Sequence, residues 1–159
     1  MAIVDTRPGD LQLLGSAVRE NGVVAKPSLG AVCQISLPDG RYAYGRIFKD
    51  ASIAIYRTVT DRPKSPPIGE REYRFVVGIY DDVPGSAMCP IVGQDAFAVS
   101  EDPWPPPRKV VDPITGALRI YHRGEMRPAT DDDGADSLER TAVWDLDHLT
   151  ERIRDSLAS

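Results

Sequence analysis

The chain has 159 residues, 42% of them hydrophobic and 27% charged, a length and balance that suit one self-sufficient globular domain. A net charge of −5, with no segment where Lys and Arg gather, excludes the electrostatic footprint of a nucleic-acid binder and makes a basic partner the easier expectation. No apolar stretch is long enough to span a bilayer, and Met1-Ala2-Ile3-Val4-Asp5-Thr6-Arg7-Pro8 lacks the basic-then-apolar order of a secretory signal, so the expected location is cytoplasmic with no membrane partner.

Residues 1–29 are weakly patterned, with one short helix expected around Asp10 to Arg19, where Leu11, Leu14 and Val18 recur at helical spacing. From Gly30 the period changes to two. Ala31, Cys33, Ile35 and Leu37 alternate with Val32, Gln34 and Ser36, which predicts a half-buried strand. In Leu37-Pro38-Asp39-Gly40 the proline presets one turn position and the glycine accepts a positive φ, so a hairpin turn follows. The returning strand, Arg41 to Phe48, puts Tyr42, Tyr44, Arg46 and Phe48 on one face and Ala43, Gly45 and Ile47 on the other, with Gly45 marking a bulge or a close backbone approach.

A third strand is expected over Ile53 to Val59, before Pro63, Pro66 and Pro67 force a loop. The fourth, Glu72 to Tyr80, presents Tyr73, Phe75, Val77 and Ile79 on one apolar face. Short strands follow near Met88 to Val92 and Ala96 to Val99, and Pro103-Trp104-Pro105-Pro106-Pro107 must be extended. Lys109 to Val111 and Leu118 to His122 read as a second hairpin, and Asp131-Asp132-Asp133-Gly134 as a charged loop. Thr141 to Trp144 is a last strand. Asp145 or Asp147 then caps a helix to about Leu157 whose apolar stripe is Leu146, Leu149, Ile153 and Leu157. The expected fold is α+β and mainly β, a small bent antiparallel sheet or partly open barrel with the C-terminal helix packed on it, in one domain over 1–159.

The stretch Gly30-Ala31-Val32-Cys33-Gln34-Ile35-Ser36-Leu37-Pro38-Asp39-Gly40-Arg41-Tyr42-Ala43-Tyr44-Gly45-Arg46 resembles the opening strand pair of the immunity protein 26 family, bacterial immunity proteins associated with polymorphic toxins. Ser137-Leu138-Glu139-Arg140-Thr141-Ala142-Val143-Trp144-Asp145, with the helix containing Glu151-Arg152-Ile153, is similar to a later part of the same family. The resemblance implies a mostly β protein that neutralises a cognate toxin domain by binding it. It brings no catalytic residues and no cofactor.

The chemistry legible in the residues is sparse. Cys33 and Cys89 each lie in an apolar stretch and are expected as reduced core residues. Aligning Asp131, Asp133 and Gly134 to a calcium loop puts Ala129 at its first position and Arg140 at its twelfth, which rules against calcium. His122, His148, Cys33 and Cys89 lack the paired short spacing of a zinc site, so no metal is expected. No nucleophile elbow or phosphate loop is present, and the expectation is no enzyme; Glu101, Asp102, His122 and His148 are the acid–base candidates of the alternative, a ligand-binding protein or enzyme with a pocket in a barrel mouth. The candidate partner-binding residues are Tyr42, Tyr44 and Arg46, as aromatic and cationic anchors, and the loop acids Asp81, Asp82, Glu101, Asp102, Asp131, Asp132 and Asp133, as a negative patch suited to a basic toxin. Sequence names neither the toxin nor the oligomeric state.

Overall fold

The computed structural model describes residues 27–158 together with the short antiparallel pair β1 (Arg19–Glu20) and β2 (Val23–Val24). The helix expected around Asp10 to Arg19 lies outside the described residues except at its end, where Arg19 belongs to β1.

Four strands in chain order form an antiparallel meander: β3 (Ala31–Ser36), β4 (Tyr42–Phe48), β5 (Ser52–Tyr56) and β6 (Tyr73–Ile79). Strand β7 (Ile91–Gln94) extends the sheet antiparallel to β3, and β11 (Val143–Trp144) joins the opposite edge parallel to β6. A second sheet carries β8 (Arg108–Val111), β9 (Leu118–His122) and β10 (Glu125–Pro128). The fold is therefore mainly β, with an open six-stranded mixed sheet rather than a barrel.

Local chemistry explains where strands start and stop. The turn after β3 closes through Gly40 N donating to Leu37 O at 3.1 Å, with Gly40 at φ 88°. Strand β5 ends at Tyr56, three residues before the expected end, because the Glu70 carboxylate accepts the amides of Arg57 (2.6 Å) and Thr58 (3.0 Å) and the Thr58 hydroxyl (2.6 Å). Those donors are then lost to any strand partner. The strand expected over Met88 to Val92 begins late, at Ile91, since Pro90 has no amide for the ladder. Ala96 to Val99 is not a strand, because Glu101 N donates to Ala98 O at 2.9 Å and turns the chain there. Strand β10 was not expected, its four residues all being exposed.

The sheet's first face carries the main core. Ala31, Cys33, Ile35, Ala43, Ile53, Ile55, Phe75 and Val77 meet the helix α1 (Leu146–Ala158) through Leu149 and Ile153, with Leu146 and Leu157 packed at its margins. Full burial of Leu149 and Ile153 contributes about 1.5–3 kcal/mol each. Asp145 is the cap, its Oδ1 accepting the His148 amide at 2.8 Å while its carbonyl takes the first helical bond from Leu149 N. Cys33 and Cys89 are both free and both buried in this core.

Gly45 marks a close approach and not a bulge: its register with Ile55 is regular, and a Cβ there would stand 2.4 Å from Ile53 Cδ1. Gly78 is tighter in kind, since its Cβ would stand 2.9 Å from the backbone oxygen of Ala142, beside the parallel strand β11. A backbone atom cannot turn away as a side chain can. Gly78→Ala should therefore destabilise the protein by about 1–3 kcal/mol in urea unfolding, as overpacking does. An unchanged midpoint would show that β11 is not fixed against β6.

Candidate functional site

The second face of the sheet is where β4, β5 and β6 turn polar groups inward. Alternation places Tyr44, Arg46 and Phe48 of β4 beside Tyr56 of β5; Tyr73, expected on the face of Phe75, Val77 and Ile79, joins them instead because the β5–β6 register shifts between Ile55 and Tyr56, and the loops after β5 and β7 fold over this face. Both faces of β4 are consequently covered, which is why six of its seven residues are buried.

Arg46 lies at the centre with its side chain 1% exposed. A guanidinium has five N–H donors, and all five are used. Nε donates to Asp95 O (2.8 Å), Nη1 to Tyr73 Oη (2.9 Å) and Glu101 Oε2 (3.3 Å), and Nη2 to Ala96 O (3.0 Å) and Glu101 Oε1 (3.3 Å). The Phe97 ring stacks on the guanidinium, its centroid 3.7 Å from Cζ.

Asp95 is held as firmly. Its Oδ2 accepts the Tyr56 hydroxyl (2.6 Å), the Gly69 amide (3.1 Å) and Arg71 Nη1 (2.9 Å), and its Oδ1 accepts Arg71 Nη2 (3.0 Å). Arg71 Nε also lies 2.6 Å from Glu101 Oε2, so Arg71 bridges the two carboxylates from the solvent side. Finally Glu101 Oε1 accepts the Ala98 amide at 2.8 Å. Two arginines, two carboxylates and two tyrosines thus clamp the segment Asp95–Glu101 to the sheet.

The charges follow this geometry. Burial pushes the Asp95 carboxyl upward, but Arg71, the Tyr56 hydroxyl, the Gly69 amide and Arg46 together hold it down to about 2. Hydrogen bonds from Arg46 and from the Ala98 amide lower Glu101 to about 2. Burial, then the bond to Asp95, raises Tyr56 well above its ordinary value. Near neutrality both carboxylates are ionised and Tyr56 is protonated, so none of the three is poised to exchange a proton there.

The tip of the clamped segment points outward. Val99 is fully exposed, between a half-buried Phe97 and a half-buried Glu101. Beside it runs a groove of about 470 Å³. Phe48, Tyr73, Val76 and Phe97 line it from the sheet side, Trp104, Pro106, Pro107 and His122 from the extended segment and β9, and Arg71, Glu101 and Asp102 from the clamp. Lys49 Nζ stands 5.1 Å from the Trp104 ring, and Lys49 N donates to Pro103 O at 2.9 Å, so the proline segment is tied to the β4–β5 turn.

The residues expected as partner-binding separate into groups. Tyr44 and Arg46 are buried beneath the loops, so as exposed anchors they are corrected: the Tyr44 hydroxyl bonds Thr60 Oγ1 at 3.2 Å, and Arg46 holds the clamp. Tyr42 is half-buried against the Val32, Tyr44 and Tyr56 cluster. Glu101 and Asp102 do reach the groove, though Glu101 is paired as above and Asp102 binds Arg123. Asp81 and Asp82 are exposed in the turn after β6. Asp131 and Asp132 are exposed on a short 3-10 turn, while Asp133 forms a two-point pair with Arg127 (2.9 and 2.6 Å) that holds its carboxyl well below the usual range. No group of three or more His, Cys, Asp or Glu among the described residues converges as a metal site would require.

Asp95 and Arg71 carry no local pattern in the sequence, and Tyr56 and Tyr73 stand out there only as strand residues. The one signal for them was Arg46 itself, a cation on an aromatic strand face, but its carboxylate partners lie 49 and 55 residues further on. The chain matches no family model, no curated protein and no solved structure.

Two predictions follow from the clamp. Replacing Arg46 by Met leaves Asp95 and Glu101 without their central cation and should cost about 3–5 kcal/mol in urea unfolding, as breaking buried pairs does. The second concerns acid. Both carboxyls have folded values below their unfolded ones of 3.8 and 4.5, so they stabilise the fold above about pH 4.5 and lose that contribution as pH falls towards 2. Unfolding free energies measured from pH 6 to 2 should decline over that window, and Arg46→Met should decline less steeply. A flat wild-type profile would contradict the clamp.

Proposed function

We propose that this protein is an immunity protein that neutralises a cognate bacterial toxin domain by direct stoichiometric binding in the cytoplasm, without chemistry or cofactor of its own. The observation that carries the reading is the clamp: a buried ion network holds the segment Asp95–Glu101 rigid while its apolar tip, Val99, stands fully exposed beside the groove. Fixing a loop in advance removes the ordering cost that binding would otherwise meet, and rigid apolar tips are effective anchors. Carboxylates locked in ionised pairs suit that role better than proton transfer.

The resemblance to the immunity family supports the toxin as partner. Its two stretches map onto the β3–β4 hairpin and onto β11 with α1, which are scaffold, so recognition would fall to the segments between them. The clamped loop and the proline segment are such segments. No helix among the described residues is long and apolar enough to cross a membrane. The mechanism is occlusion: Val99 and the Trp104 wall seat on the toxin's active site or beside it.

The test is co-purification of the tagged chain with the product of the adjacent gene, joined to a growth assay with and without this chain. Capture of the toxin and protected growth are expected, and Val99→Asp should weaken binding at least tenfold, about 1.4 kcal/mol, without moving the unfolding midpoint. Absence of both capture and protection overturns the immunity reading. Full binding by Val99→Asp and Trp104→Ala together moves the contact surface away from the clamp.

A further inference from the structure

Arg46 and Arg108 are both buried on the side of the main sheet that faces away from α1, yet they are treated very differently. Arg108, the first residue of β8, is 5% exposed, and among the described residues its side chain makes one hydrogen bond, from Nη2 to Ser52 Oγ at 2.6 Å. Its Nε is buried with no partner in the protein. It forms no ion pair among the described residues, whereas Arg46 has two carboxylates.

The neighbouring acids make no ion pair with it. Asp50 Oδ2 accepts the Tyr121 hydroxyl at 2.8 Å, and Glu139 forms a two-point pair with Arg152. Ser52 sends its own hydroxyl proton to Asp50 O at 2.9 Å, so it meets Arg108 as a neutral acceptor. Gly78 lies alongside, where an added Cβ would stand 3.5 Å from Arg108 Nη1, so the absence of a side chain there lets β6 approach the guanidinium. Burial lowers the affinity of Arg108 for its proton, with Asp50, Tyr121 and Glu139 offsetting part of that. Even so, a guanidinium remains protonated in proteins and cannot escape burial by neutralising, as a lysine can. A water molecule would satisfy N–H groups but leave the charge uncompensated.

We propose that Arg108 is the receptor of a small monovalent anion, of the size of chloride, bound between β8 and the adjoining ends of β5 and β6 with Nε and Nη1 as donors. One excess positive charge calls for one negative charge. The near-complete burial of the side chain excludes a macromolecular phosphate or an acidic peptide. The anion would serve as the counter-ion that lets the three-stranded sheet sit against the main sheet. This inference is independent of the toxin reading.

The test uses the full chain. Unfolding midpoints are measured in sodium chloride, bromide and gluconate at equal ionic strength, and crystals grown in bromide are examined by anomalous scattering. The expected result is a bromide peak within hydrogen-bonding reach of the Arg108 guanidinium, with a midpoint that rises with halide but not with gluconate, and no such halide-specific rise in Arg108→Met. Bromide peaks only elsewhere on the protein, or equal effects of halide and gluconate, would overturn the proposal. Should Arg108→Met fail to fold, the bromide experiment on the wild-type chain decides alone.

Discussion

Arg46 carries a full positive charge where almost no water reaches it, and a guanidinium cannot shed that charge. Everything on the second face of the sheet is arranged around this constraint. Asp95 and Glu101 supply charge, the carbonyls of Asp95 and Ala96 and the Tyr73 hydroxyl supply acceptors, and Phe97 supplies a π face. Because these groups come from one short segment and from β6, satisfying Arg46 also fixes the path of the chain after β7. The segment is thereby placed by electrostatics, where an ordinary surface loop is placed by little beyond its ends.

A buried ion network is a poor way to gain net stability, since desolvation offsets most of the attraction and an apolar replacement of similar volume is often as stable. What such a network does supply is geometry. Every donor of Arg46 has one acceptor position, so a shift of the loop leaves a buried donor bare. The first face works differently: Ile53, Ile55, Phe75 and Val77 against Leu149 and Ile153 provide non-directional burial that holds the fold together. One face thus stabilises the sheet and the other shapes what the sheet presents.

The first face was legible in the sequence and the second was not, for a physical reason. Alternation in Ala31 to Leu37 and in Phe75 to Ile79, the Pro38-Asp39-Gly40 turn and the Asp145 cap are local patterns, and each produced the element expected of it, whereas the register shift that turns Tyr73 to the second face is a tertiary feature. The same alternation correctly put Tyr44, Arg46 and Phe48 on one face. It could not tell that the face was covered, because coverage depends on Gly69, Arg71, Asp95 and Glu101, which approach only through the tertiary fold. Apolar composition likewise suggested a strand over Ala96 to Val99, where the Glu101 carboxylate and amide impose a turn. The parallel pairing of β11 with β6 and the exposed strand β10 left no periodic trace at two and four residues. Of the candidate site, Glu101, Asp102 and Arg46 were singled out from sequence, but the reason they matter came from their mutual distances.

A preformed recognition surface requires the segment Ala96–Glu101 to be rigid in the free protein. Backbone 15N relaxation measures this directly, without a partner and without a substitution. Order parameters near 0.85 across Ala96 to Glu101, equal to those of β4 and β6, are the predicted result. Values below about 0.6 in that segment, with the strands at 0.85, would show an ordinary mobile loop and contradict a preformed recognition surface.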